Sequence, residues 1–170
     1  MRTIIAVLLL TAPLFADTSG RPEPPKHPWM GYKPGSFAKY KYVTKFNGNN
    51  TEMSYTMTLL EVTKTTYKLE YLTEQNGQVN KYVQDIPATQ DQMGAYEKGQ
   101  SGKESLVVNG RRYNCTWTEY VYRQQANGQY TMKVWTSNYV VGGTVKMEGA
   151  SQGQGFNMSW TMELVEFQKK

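Results

Sequence analysis

The residues able to do chemistry in this chain are few and scattered. His27 is the only histidine, and it lies among prolines. Nucleophile schemes of the Ser–His or Cys–His kind need an imidazole set in the structured core, and multi-histidine zinc sites need more than one. Cys115 is the only cysteine. Flanked by Asn114 and Thr116 in an apolar-patterned stretch, it reads as a small buried hydrophobe, because a redox thiol needs exposure and a low pKa. Glu119, Glu148, Glu163 and Glu166 fall on different stretches. A glycosidase-like carboxylate pair among them stays open, with nothing to select two of the four. Lys146 and Glu148 share one side of an extended chain and read as an exposed ion pair worth ~0–1 kcal/mol. No nucleophile or acid is marked beside them, so Lys146 is not assigned a catalytic role. The glycines follow turn logic and open no phosphate-binding helix. No catalytic residue, cofactor site or metal ligand is assigned, and the expectation is a protein that is not an enzyme.

The elements that must position any site are read from periodicity. From Ser36 onward the pattern alternates with period two, the mark of half-buried antiparallel strands. Tyr40 and Tyr42 oppose Lys39 and Lys41. Met53, Tyr55, Met57 and Leu59 oppose Ser54, Thr56 and Thr58, and Tyr67, Leu69 and Tyr71 oppose Lys68 and Glu70. Four Asn-Gly pairs separate such runs, at Asn47-Gly48, Asn76-Gly77, Asn109-Gly110 and Asn127-Gly128. A two-residue type I′ hairpin needs positive φ at both central positions, which Asn followed by Gly supplies at least steric cost. The fold class expected is all-β, with at most one or two short helices: a curved antiparallel meander of roughly eight to ten strands, forming a half-open barrel.

Between these runs the pattern weakens. Pro87 to Lys103 is polar, holds Gly94, Gly99 and Gly102, and lacks an apolar face. It reads as a short helix between Thr89 and Glu97 or as a loop across the open side of the sheet. Strands resume at Leu106. Tyr113, Cys115, Trp117 and Val121 share one face, while Tyr120 and Tyr122 blur its far end. Gly142-Gly143 breaks the chain before Thr144, Gly149 to Gly155 reads as a turn, and Phe156 to Phe167 closes the domain with Met158, Trp160 and Met162 on one face.

Three segments are expected. Residues 1–16 look like a secretory signal, with Arg2 ahead of an apolar Ile4–Leu10 core and Ala16 at the cut. That core is too short to span a bilayer, which takes ~20 residues, and no later run is longer. Residues 17–35 form a proline-rich leader with Pro22, Pro24, Pro25, Pro28 and Pro34; proline there excludes a helix or a central strand. Trp29 and Tyr32 could pin its end to the domain, or the leader could be disordered with stray aromatics. Residues 36–170 form a single antiparallel β domain. A protein exported to the periplasm or outside the cell, soluble after cleavage, is expected. The net charge of +5 is spread without a basic block, which argues against nucleic-acid binding. Asn49, Asn114 and Asn157 open Asn-X-Ser/Thr triplets, which read as chance in a chain rich in Asn and Thr.

One stretch resembles something known. Lys133-Val134-Trp135-Thr136-Ser137 followed by Val140-Val141-Gly142-Gly143-Thr144-Val145-Lys146-Met147-Glu148 resembles a recurring stretch in exported bacterial proteins of unassigned function. Those proteins resemble the periplasmic lipoprotein-carrier (LolA/LolB-like) superfamily, and Val141 stands where they usually carry proline. The resemblance implies a curved antiparallel half-barrel over a few helices, with a concave apolar sheet and no catalytic residue to transfer.

Binding is then the leading functional expectation. Met53, Tyr55, Met57, Trp117, Met158, Trp160 and Met162 are the candidate ligand-lining residues, a polarizable and adaptable surface. If the barrel closes tightly they are core; if it stays half open they line a groove for a lipid or other apolar small molecule. A structural or protein-interaction module, with Tyr120, Tyr122 and the Lys39/Lys41 face exposed, is the alternative. An unrecognised hydrolase is a third.

Overall fold

A computed structural model describes residues 27–88, 96–124, 128–153 and 156–170. The expected signal and the first part of the leader lie outside the described residues, as do Asn127 and most of the expected Thr89–Glu97 helix. Nine strands follow one another: β1 Phe37–Phe46, β2 Asn49–Val62, β3 Thr66–Gln75, β4 Gln78–Pro87, β5 Glu97–Val108, β6 Arg111–Gln124, β7 Gly128–Thr136, β8 Thr144–Gly153 and β9 Phe156–Gln168. They form one antiparallel sheet in the order β4-β3-β2-β1-β9-β8-β7-β6-β5. Consecutive strands pair with each other except β4 and β5, which lie at opposite edges, and the two halves meet where β1 pairs with β9. The sheet is open, with β4 and β5 as its edges.

The corners form for the expected reason. Asn47, Asn76 and Asn109 have φ of 47°, 50° and 48°, and the glycines after them 85°, 75° and 74°. That is the pair of left-handed residues a type I′ turn requires. The sheet is strongly rolled. Asn109 Nδ2 at the β5–β6 corner donates to Val165 O of β9 at 2.8 Å. On a flat sheet β6 and β9, three strand spacings apart, would stand about 14 Å from each other.

Alternation assigns two faces. The inner face carries Tyr40 and Tyr42 of β1, Leu59 of β2, Tyr67, Leu69 and Tyr71 of β3, Met132 and Val134 of β7, Val145 of β8, and Trp160, Met162 and Leu164 of β9. Most of these are buried. Val140 and Val141, in the loop before Gly142-Gly143, are fully buried as well. The outer face carries Lys39, Lys41, Lys68, Lys81, Lys133 and Lys146 and most of the acids of the described strands.

Three expectations are corrected. Glu97 to Lys103 is strand, not an interruption. It is an edge strand, exposed on both faces, so it has no apolar alternation to show. Gly102 is there because the Trp117 indole lies flat on it; a Cβ would stand 2.9 Å from the ring. Gly149 to Gly153 is the end of β8, not a turn. Gly149 faces Trp160 in the register, and a Cβ there would come within 2.5 Å of that indole. Both are aromatic side chains covering a cross-strand glycine. Finally, the end of the leader is not wholly without helix: Pro28–Gly31 forms one 3-10 turn, with proline in its first turn, where no N–H is needed.

Candidate functional site

The rolled inner face encloses a cavity of about 440 Å³, within the range of small-molecule sites. Each wall comes from a few alternate residues. β2 contributes Met53, Tyr55 and Met57, β3 contributes Leu69, Tyr71 and Thr73, and β1 contributes Tyr42. Across from them stand Trp160 and Met162 of β9, Thr144 and Met147 of β8 and Val134 of β7. His27, Trp29 and Gly142 close the foot.

The foot is built by the leader's end. Trp29 is 2% exposed, and its indole packs on Gly142, where a Cβ would come within 2.7 Å. Gly142 and Gly143 also hold φ of 72° and 80°, so glycine serves both the backbone and the contact. Tyr32 Oη donates to Val140 O at 3.1 Å. Trp29 and Tyr32 therefore pin the leader's end to the domain. His27 stacks on Tyr67 with ring centroids 4.7 Å apart, and its Nδ1 accepts the Trp29 N–H at 3.5 Å.

Aromatic contacts stiffen the walls. Tyr82 stacks on Tyr71 at 4.7 Å and Tyr42 on Trp160 at 5.7 Å. Trp160 Nε1 donates to Tyr130 Oη at 2.7 Å, and Tyr130 leads on to Tyr96 at 6.2 Å. Among the described residues the lining holds no Lys, Arg, Asp or Glu. Burial pushes the His27 imidazole below its ordinary value. The Tyr55 hydroxyl is raised by burial first and then by its hydrogen bond with Tyr82, and burial also raises Tyr71. At neutral pH the cavity wall is therefore uncharged.

Of the seven candidate ligand-lining residues, the structure brings Met53, Tyr55, Met57, Trp160 and Met162 together around this cavity. Met158 shares their face one residue pair further along β9, and lines a separate polar hollow with Lys45 and Asn157. Trp117 stands on the outer face, paired with Trp135 and covered by the Lys133 ammonium 4.0 Å from its ring centroid. Both faces of β6 carry aromatics, so alternation alone could not say which one turns inward. Tyr42, Tyr71 and Met147 were missed as lining residues, although each sits in phase with residues that were chosen.

The outer face shows what the other chemical candidates do. A more open groove of about 490 Å³, of mixed polar and apolar lining, includes Glu119, Lys133, Glu148 and Thr161. Lys146 Nζ lies 2.7 Å from Glu148 and 3.0 Å from Glu163. Desolvation is the largest single effect on Lys146 and pulls it down. The hydrogen bonds and charges of the two carboxylates outweigh it and hold the ammonium above its ordinary value. The pair expected from sequence is thus a triad in which one cation bridges two acids. Cys115 is buried, donates to Tyr113 O at 3.7 Å, and has its thiol pushed up by burial and then by Glu104. Among the described residues no three acids, histidines or cysteines gather as metal ligands.

No family model matches the chain, and no curated protein matches it. Among solved structures, one described as an exported protein with a YmcC-like fold, from Bacteroides fragilis, superposes with a TM-score of 0.50 at 8% identity, covering 81% of this chain and 97% of its own. The two share a fold. A domain described as an outer membrane lipoprotein-sorting protein, from Vibrio parahaemolyticus, gives a TM-score of 0.31 at 9% identity, covering 79% of this chain and 85% of its own. The resemblance to exported half-barrel proteins, carried in the sequence by Lys133–Ser137 and Val140–Glu148, thus holds for the curved antiparallel sheet, whereas the few helices it implied are not found among the described residues, which hold one 3-10 turn.

Proposed function

We propose that the protein is an exported, non-enzymatic β half-barrel that holds an uncharged apolar molecule, a lipid chain or a compound of similar character, in the cavity of its inner face. The observation that carries this reading is the composition of the lining. Four methionines, Met53, Met57, Met147 and Met162, stand among aromatic rings with no formal charge. Methionine side chains re-pack around different shapes at small cost, which suits a carrier more than a site that must hold one substrate rigidly. Export is supported by the signal-like residues 1–16, and no described helix is long and apolar enough to cross a membrane.

The test uses the mature protein incubated with envelope lipid extract and examined by native mass spectrometry, alongside titration with a hydrophobic fluorescent dye. Bound apolar species and a saturable dye site are expected. Met57→Lys, which sets an ammonium in the wall, should weaken dye binding about tenfold or more while the sheet persists by circular dichroism. Absence of both a co-purifying apolar species and a dye site would overturn the carrier reading.

A further inference from the structure

The two edges of the sheet are not equivalent. β5 is protected in the ways edge strands usually are. Its pairing with β6 is broken by a register shift between Lys98 and Ser101, and it carries Gly99, Gly102, Lys103 and Glu104. β4 carries Lys81, Asp85 and, at its last position, Pro87, but no glycine and no break in its pairing. Its ten residues pair with β3 without a register shift, and among the described residues nothing pairs with its other side. Val79, Tyr82 and Val83 are 58%, 51% and 50% exposed. Tyr82 stacks on Tyr71 of β3 with ring centroids 4.7 Å apart. An exposed edge of this length with apolar side chains is a template for another strand.

The order of charges names the strand that fits. Val79, Lys81, Val83 and Asp85 share the outer face of β4. Lys81 and Asp85 lie symmetrically about Val83, and their side chains are 58% and 69% exposed. Turned about a two-fold axis at Val83, a second β4 places Val83 opposite Val83 and Lys81 opposite Asp85, twice. Each charge keeps its existing neighbour on β3, Lys81 with Glu70 at 2.6 Å and Asp85 with Lys68 at 3.7 Å. The result is one alternating row, Glu70, Lys81, then Asp85 and Lys68 of the partner subunit. We infer that the protein forms a two-fold dimer through antiparallel β4–β4 pairing centred on Val83, joining two sheets into one. This rests on the edge and its charge order, and is independent of what the cavity holds.

The full mature chain is examined by analytical ultracentrifugation over a wide concentration range. A reversible dimer is expected. Lys81→Glu puts like charges opposite each other at two symmetric places and should weaken the dimer about tenfold. Adding Asp85→Lys reverses both charges and should restore it, although it cannot restore the bridges to Glu70 and Lys68. Val83→Cys should form an intersubunit disulfide under oxidation, since paired antiparallel residues lie within disulfide reach, while Gln78→Cys should not. Both variants carry exposed positions, and circular dichroism checks that the sheet is retained. A monomer at every concentration, a dimer indifferent to Lys81→Glu, no rescue by the double reversal, or equal cross-linking at 78 and 83 would each overturn the assignment.

Discussion

Replacing Gly149 with alanine tests whether the cavity wall is held by a tryptophan lying on a glycine. A Cβ at 149 would come within 2.5 Å of the Trp160 indole, so the ring must move. Trp160 is 7% exposed, stacks on Tyr42, and donates to Tyr130, so the ring can shift toward the cavity it lines only by giving up those contacts. Overpacking of this sort costs about 1–3 kcal/mol, and loss of the indole hydrogen bond adds about 1 kcal/mol. Removing a glycine from a strand returns about 0.5–1 kcal/mol. The net is a destabilisation of about 2 kcal/mol, which at a urea slope of ~2 kcal/mol/M lowers the midpoint by about 1 M. Gly31→Ala is the control. Nothing stands within 4 Å of its Cβ position, and a change within about 0.5 kcal/mol is expected. The decisive measurement is the same substitution in a Trp160→Phe background, where the smaller ring should relieve the clash and reduce the loss by about 1 kcal/mol. Equal losses in both backgrounds, or none in either, would refute the reasoning.

His27 and Cys115 give two further expectations. Burial lowers the folded His27 pKa below its ordinary 6.5, so the native state binds this proton less readily than the unfolded state. Stability from this group is full above pH 6.5, declines as pH falls below that value, and levels off beneath the folded pKa. No other histidine exists to obscure the effect. Urea midpoints between pH 7.5 and 5.5 should therefore fall in the wild type and stay level in His27→Gln; a level wild-type curve would contradict the docking of His27 on Tyr67. Cys115, 4% exposed with a raised pKa, should react with a thiol reagent roughly a thousandfold more slowly in the native than in the unfolded protein. Rapid native labelling would place it elsewhere than the core.

The fold was legible wherever one strand face is wet and the other dry. Tyr40 and Tyr42 against the lysines of β1, the alternation of β2 and β3, and the Asn-Gly corners at 47, 76 and 109 carry their structure in local chemistry. What could not be read was non-local. The Glu97–Lys103 part of β5 is polar on both sides, since an edge needs no apolar face, and only its pairing with β6 makes it a strand. The glycines at 102 and 149 look like turn residues until Trp117 and Trp160 are placed over them from neighbouring strands. The same lack of register information put Trp117 among the cavity candidates and left out Tyr42, Tyr71 and Met147.

The meeting of β1 with β9 has a kinetic consequence. Every other strand pairing joins neighbours in the chain, so each flank of the sheet can zip up hairpin by hairpin. The seam between Phe37–Phe46 and Phe156–Gln168 closes a loop of more than a hundred residues, and a contact that distant is slow to find. Until it closes, Tyr42 and Met162 have no opposing wall. Changes at the seam should therefore slow refolding, while changes in the outer hairpins should chiefly hasten unfolding.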